Sequence, residues 1–257
     1  MKVTVLAENT SACGLPAEHG LSLYIEASGK KLLFDTGQSA LFAENAEVLG
    51  VDLSAVDLCV LSHGHYDHGG GLKRFMELNR SAPVYMSRYA FEPHYRGTQK
   101  DIGLDRELMQ SDRITFTDGV TKLCESMTLY SCIDGETVVP VDPGGLMTMR
   151  DGVLCHEDFR HEHVLLIEEN GKRVLLSGCS HRGIINITDR FRPDVLIGGF
   201  HFSKLPLDDT LRGYAERLDG YDTTYYTCHC TGTEQFEFMR RYMKRLHYLS
   251  TGDRVEV

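Results

Sequence analysis

Residues 61–72, LSHGHYDHGGGL, set three histidines and an aspartate within six positions, at the end of the apolar run LCVL and directly ahead of three glycines. Such a stretch reads as a buried strand that ends in a polar turn. Side chains two apart in extended backbone share a face, so the imidazoles of His63 and His65 can reach one cation. Past the bend that Gly64 and the run Gly69–Gly71 permit, Asp67 and His68 face a second ion. Imidazole nitrogen with one carboxylate suits zinc, and also iron or manganese, and the lack of a thiolate-rich first cluster argues against a closed structural site. The plain alternative is a loop of solvated histidines. Histidines crowded onto the end of an apolar strand are unusual as decoration, so ligation is the stronger reading.

The flanking segments describe the scaffold. KVTVLAE, LSLYIEA and KLLFDTG read as three strands of a meander, and SALFAENAEVLG as a helix with Ser39 as N-cap and Gly50 as its stop. After the cluster, GGLKRFMELN resumes a helical period and PVYMS a strand. From about residue 86 to 160 the pattern weakens into turn-rich stretches, FEPHYRGTQKDIGL and VDPGGLMTMRDG, with RITFTD and MTLYSC as strands between them. This stretch reads as an inserted lid. Order returns in HVLLIEENGKRVLLSG, where Asn170-Gly171 between two apolar runs signals a hairpin. Three strand–helix units follow, and each of their strands, VLLSGCSH, DVLIGGFHF and TTYYTCHCTG, ends in a loop bearing a histidine. Strands alternating with helices imply an α/β architecture.

With 257 residues, 42% of them apolar, the chain can bury a true core as one domain, 1–257. The net charge of −10 and the absence of a Lys/Arg block argue against a nucleic-acid partner and leave a small-molecule substrate. No run approaches the ~20 apolar residues that cross a bilayer, and no signal-peptide pattern opens the chain, so the expectation is a cytoplasmic protein with no membrane partner. Oligomeric state is open. The eight cysteines are scattered and read as reduced thiols, with Cys59 as core filler. Cys228 and Cys230 are spaced C-x-C, which does not match a structural zinc site.

The run HGHYDH after a buried strand, with LLFDTG some way upstream, resembles the metallo-β-lactamase superfamily, whose signature is H-x-H-x-D-H. That resemblance implies a four-layered αββα sandwich and one or two divalent metal ions. It implies that Asp35, on the upstream strand, supports the metal loop by hydrogen bonding. It also implies that later loops complete the ligand set, with His229 for the second metal and Cys179 at the position of the usual bridging Asp. His181 is the preferred completion of the first sphere because it lies beyond a strand and just before a helix; His161 or His163 is the alternative. His201 ends the penultimate strand and is a candidate acid/base. His19, His94, His156 and His247 read as ordinary surface or loop residues.

Together, LSHGHYDHGGGL, SGCSHRGIINI, IGGFHF and CHCTG resemble the subgroup named for 7,8-dihydropterin-6-methyl-4-(β-D-ribofuranosyl)aminobenzene-5′-phosphate synthase. Where that subgroup tends to carry Asp-Glu-Gln, this chain has His161-Glu162-His163. The implied activity is hydrolysis of a small, phosphate-bearing substrate by a metal-activated water, with Asp67 accepting a proton and His201 protonating a leaving group. The alternatives are a non-catalytic metal-containing metabolite sensor, a nuclease or phosphodiesterase of the same superfamily, and a di-iron redox protein.

Overall fold

The computed structural model describes residues 1–11, 13–131 and 137–257. The opening meander forms as the alternation predicts: Lys2–Ala7, Ser22–Ala27 and Lys30–Phe34 pair antiparallel. The helix Leu41–Leu49 then carries the chain over to Leu58–Val60, laid parallel to Lys30–Phe34. The N-cap is Ala40 rather than Ser39, one residue later than expected, although Ser39 Oγ accepts from the Leu41 N–H at 3.1 Å; Gly50 stops the helix with φ of 71°. The helix Leu72–Leu78 makes the next crossover, to Val84–Ser87, and Ile114–Thr117 pairs parallel beyond it. With Arg254–Glu256 on the far edge, this sheet has seven strands.

The second sheet also has seven strands, ordered Leu246–Tyr248, Thr224–Thr227, Val195–Gly198, Lys172–Ser177, His163–Glu169, Met127–Ser131 and Val120–Cys124. Its hairpin turns on Asn170 and Gly171 at φ of 53° and 76°, the two positive angles that a type I′ turn requires. Beyond it, the strands from Lys172–Ser177 onward are parallel. The C-terminal segment TEQFEFMRRYMKRL is helical only over Thr233–Met239. The chain then leaves the helix through turns to set Leu246–Tyr248 beside Thr224–Thr227.

Period-2 alternation sorts side chains between layers. Leu32, Phe34, Leu58 and Val60 from one sheet meet Leu165, Ile167, Leu176 and Ile197 from the other in a shared core. The opposite faces pack on helices: Leu33 and Cys59 lie with Phe42 and Phe75, while Leu175 and Leu196 lie with Ile184 and Leu211. The layers are therefore helix, sheet, sheet, helix, and each fully buried large aliphatic or aromatic side chain contributes roughly 1.5–3 kcal/mol. The stretch from 86 to 160 is a separate piece only in part. Val153–His156, Leu146–Arg150, His94–Arg96 and Lys100–Asp101 form a small sheet of their own. Ile114–Thr117, Val120–Cys124 and Met127–Ser131 instead extend the two large sheets, and Cys132 lies outside the described residues. Among the described residues no helix is long and apolar enough to cross a membrane.

Candidate metal centre

Each loop bearing a candidate ligand leaves the carboxyl end of a strand. Asp35 follows Lys30–Phe34, His63 to His68 follow Leu58–Val60, Cys179 and His181 follow Lys172–Ser177, His201 follows Val195–Gly198, and His229 follows Thr224–Thr227. Parallel pairing within each sheet sends these ends to one side, where open α/β sheets bind ligands. The exits turn sharply: Asp35, Ser180, His201 and His229 have φ of 60°, 58°, 57° and 51°. Such residues cost of order ~1–3 kcal/mol each and persist only where packing holds them. Two glycines permit the close approach. A Cβ on Gly178 would lie 2.1 Å from Ser62 Oγ, and one on Gly64 would lie 2.2 Å from the Ala90 carbonyl oxygen.

The hydrogen bonds fix which nitrogens are free. His68 Nδ1 lies 2.7 Å from Asp35 Oδ2, and a carboxylate only accepts, so Nδ1 donates and Nε2 keeps its lone pair. His229 Nδ1 lies 2.8 Å from Asn9 Oδ1, so in its neutral form the lone pair of this ring is likewise on Nε2. These two Nε2 atoms face each other at 3.2 Å in a buried setting. Two lone pairs at that distance repel unless a proton or a cation sits between them. Cys179 Sγ is 3.2 Å from His68 Nε2, and Asp67 Oδ2 is 3.4 Å from His229 Nε2, so the surrounding donors are those of a cation site.

The other histidines of the cluster form an adjoining group. Ser62 Oγ donates to Asp35 Oδ2 at 2.7 Å and so accepts from His63 Nδ1 at 2.9 Å, which frees His63 Nε2. The rings of His63, His65 and His181 lie 4.6–4.9 Å apart pairwise. Their buried nitrogens, Nε2 of His63 and His65 and both nitrogens of His181, have no partner. Unpaired buried polar atoms are costly, and several converging at one place fit a divalent ion. Cys179 lies within ligand distance of both groups, with His63 and His181 on one side and His68 and His229 on the other.

Electrostatics separates the two groups. Burial, with the neighbouring imidazoles adding to it, holds His63, His65 and His181 well below the usual histidine range. They are neutral, as ligands must be. Burial would also lower His229, but its hydrogen bond with Asp67 outweighs that, together with the nearby Cys230, and raises it to about 9. A positive charge is thus already called for between His68, His229 and Asp67. Burial would raise the Asp67 carboxyl, yet hydrogen bonds from His19 and His229 hold it well below the carboxylate range. Burial pushes the Cys179 thiol well up, so a thiolate there depends on a cation beside it.

The remaining candidates fall in different places. The His201 ring lies 4.3 Å from that of His181, tilted by 54°, with its Nδ1 buried and unpartnered. His161 Nδ1 accepts from the Gly64 N–H at 2.8 Å, so its neutral form carries the proton on Nε2 and is a poor ligand there. His163 is buried beside Thr117, and none of the ligand groups found among the described residues includes it. Cys228 packs in the core between the sheets, while Cys230 Sγ accepts from the His201 N–H at 3.3 Å. His156 and His247 are exposed, as surface residues should be.

Two readings are corrected. His94 is no surface residue: it is fully buried, its Nδ1–H donates to Glu157 at 2.8 Å, and its ring lies 4.0 Å from that of His161. His19 is exposed, but its Nε2 lies 3.2 Å from Asp67 Oδ2. Sequence reasoning also missed Glu162, whose buried carboxylate accepts from the His181 and Arg182 N–H groups at 2.7 and 2.9 Å. It missed Glu8 as well, which accepts from the His229 N–H at 2.6 Å. The available signals were a polar Glu8-Asn9 pair ending an apolar strand and an acid set between two histidines.

A model of the metallo-β-lactamase superfamily matches residues 15–222, and the chain belongs to that family. Its fold is the mixed α/β sandwich of that superfamily, whose members bind divalent metals and are in general metal-dependent hydrolases. An uncharacterised protein of Methanocaldococcus jannaschii is 28% identical over 239 residues, covering 90% of each chain. The 7,8-dihydropterin-6-methyl-4-(β-D-ribofuranosyl)-aminobenzene-5′-phosphate synthase of the same organism is 29% identical over 230 residues, 78% of this chain and 77% of that one. The crystal structure of Tm1679, a metal-dependent hydrolase of the β-lactamase superfamily, matches with a TM-score of 0.83 at 28% identity, covering 100% of this chain and 99% of that one.

Proposed function

We propose that the chain is a metal-dependent hydrolase that uses a metal-activated water on a small, phosphate-bearing molecule. The observation that carries this reading is the 3.2 Å approach of two buried imidazole nitrogens, His68 Nε2 and His229 Nε2, with Asp67 and Cys179 beside them. His63, His65 and His181 would hold one divalent ion and Asp67, His68 and His229 a second, with Cys179 between. Zinc suits this donor set; iron and manganese are the alternatives. Held by these residues, divalent ions would supply a water of lowered pKa, toward ~7, and positive charge beside an electrophilic phosphorus or carbonyl group.

The side chains do the rest. Asp67, held ionised by His19 and His229, would orient the attacking water and accept its proton, which is then released to solvent. His201, beside His181 and open to the hollow above the cluster, delivers a proton to the leaving group. The phosphate is supported by the synthase relative, whose name carries a 5′-phosphate. All described cysteines are free thiols, which supports a reducing, cytoplasmic setting.

The test is a panel of phosphomonoesters, phosphodiesters, lactones and thioesters on metal-quantified protein. Turnover that disappears on chelation and in His65→Ala is expected. Tight ligand binding with no turnover of any member would replace the hydrolase with a sensor.

A further inference from the structure

A hollow of about 110 Å³ opens over the imidazole cluster, and three cationic side chains stand on its rim. Arg96 and Lys100 come from the small sheet, on His94–Arg96 and Lys100–Asp101, and Lys204 comes from the loop beyond His201. The chain as a whole is acidic, with 37 acids against 27 bases, so three cations gathered at one mouth are against its trend. Other arginines are neutralised: Arg88 pairs with Asp118, Arg150 with Asp158 and Arg160 with Glu92. Among the described residues, no carboxylate lies within ion-pair distance of Arg96, Lys100 or Lys204. The one carboxylate lining this hollow, Asp67, is engaged by His19 and His229. Lys204 is lowered by burial and by the charge of Arg96, which places the two cations within each other's field.

A second hollow, of about 160 Å³, adjoins the first and shares His181, His201, Ser203 and Lys204 with it. Its walls include Val139, Val141, Ile184, Phe200, Phe202 and Tyr214. A cationic rim beside an apolar chamber, with the imidazole cluster between them, matches a molecule with a charged end and a flat or aliphatic body.

We propose that Arg96, Lys100 and Lys204 form a phosphate-binding subsite that grips the substrate's phosphate away from the reacting centre, while its apolar body lies against Phe200 and Phe202. This rests on the reading of the substrate as phosphate-bearing, and it makes that phosphate a handle rather than the group attacked. A guanidinium fork and two ammonium groups supply enough donors for a phosphate dianion.

The experiment uses the full, metal-loaded chain and a non-hydrolysable probe, phenylphosphonate, titrated by calorimetry. Arg96→Ala and Lys204→Ala are each expected to weaken binding about tenfold, Arg96→Lys less, with metal content and circular dichroism unchanged and with binding falling as salt rises. Phe202→Ala should weaken phenylphosphonate but not inorganic phosphate. Binding that survives both alanine variants and disappears only on chelation puts the phosphonate on the metal ions and overturns the subsite, with the hydrolase reading intact. Phosphonate binding that needs Arg96 and Lys204, in a protein that turns over nothing on the panel, keeps the subsite and overturns the hydrolase.

Discussion

The two halves of the candidate metal centre use the same side chain and hold it in different ways. Around Asp67, both imidazoles are anchored through Nδ1 by a polar acceptor, His68 by the buried Asp35 and His229 by the exposed Asn9. Around His63 the anchoring is thinner: His63 itself is tied through Ser62, but neither ring nitrogen of His181 has a partner. His181 is positioned instead by the Phe159 ring, stacked at 4.6 Å and 9°, and by Glu162 gripping its backbone N–H. A polar anchor fixes both the direction and the tautomer of an imidazole, whereas packing fixes direction alone. One half of the proposed centre is therefore oriented by polar anchors, and the other by packing.

The strongest way to break this contrast is to remove an anchored ligand. His68→Ala should lose the ion shared with Asp67 and His229 and abolish turnover, as read by elemental analysis and the substrate panel. Wild-type metal content in that variant would end the contrast. Asp35→Asn reaches both halves at once, because Asp35 holds His68 directly and His63 through Ser62. Losing an outer partner of this kind typically costs ~10–100-fold in metal affinity. Chelator competition should show that loss in both halves.

Phe159→Leu sharpens the comparison from the packed side. It should weaken only the His63 half, by a few-fold, and leave the Asp67 half unchanged; equal weakening of both would merge them. The smallest effect is a control from outside both halves. Burial lowers His163 from 6.5 to about 4 in the folded chain. The unfolded state then binds more protons between those values, so the stability tied to His163 is present above about 6.5 and is lost as pH falls toward 4. At ~1.4 kcal/mol per unit this is at most about 3.5 kcal/mol. Denaturation of His163→Gln across that range should show a flatter pH dependence than the wild type.

Much of this was legible in sequence because it is local. The period-2 alternation of KLLF and VLL, the Asn170-Gly171 turn and the Gly50 stop each depend on neighbours in the chain, and each forms as expected. The anchors were harder, since Asn9 reaches His229 across 220 residues and Glu157 reaches His94 across 63. His94 carries no local mark of burial: it sits in a turn-rich stretch, at the start of a strand of the small sheet, and packs on residues distant in sequence, His161 and Glu157.

The most direct measurement is anomalous diffraction at the zinc edge from crystals of zinc-loaded protein. The account predicts an anomalous peak between His68 Nε2 and His229 Nε2, within ligand distance of Asp67. Those two imidazoles rotated apart around ordinary water, with no anomalous signal between them, would contradict it.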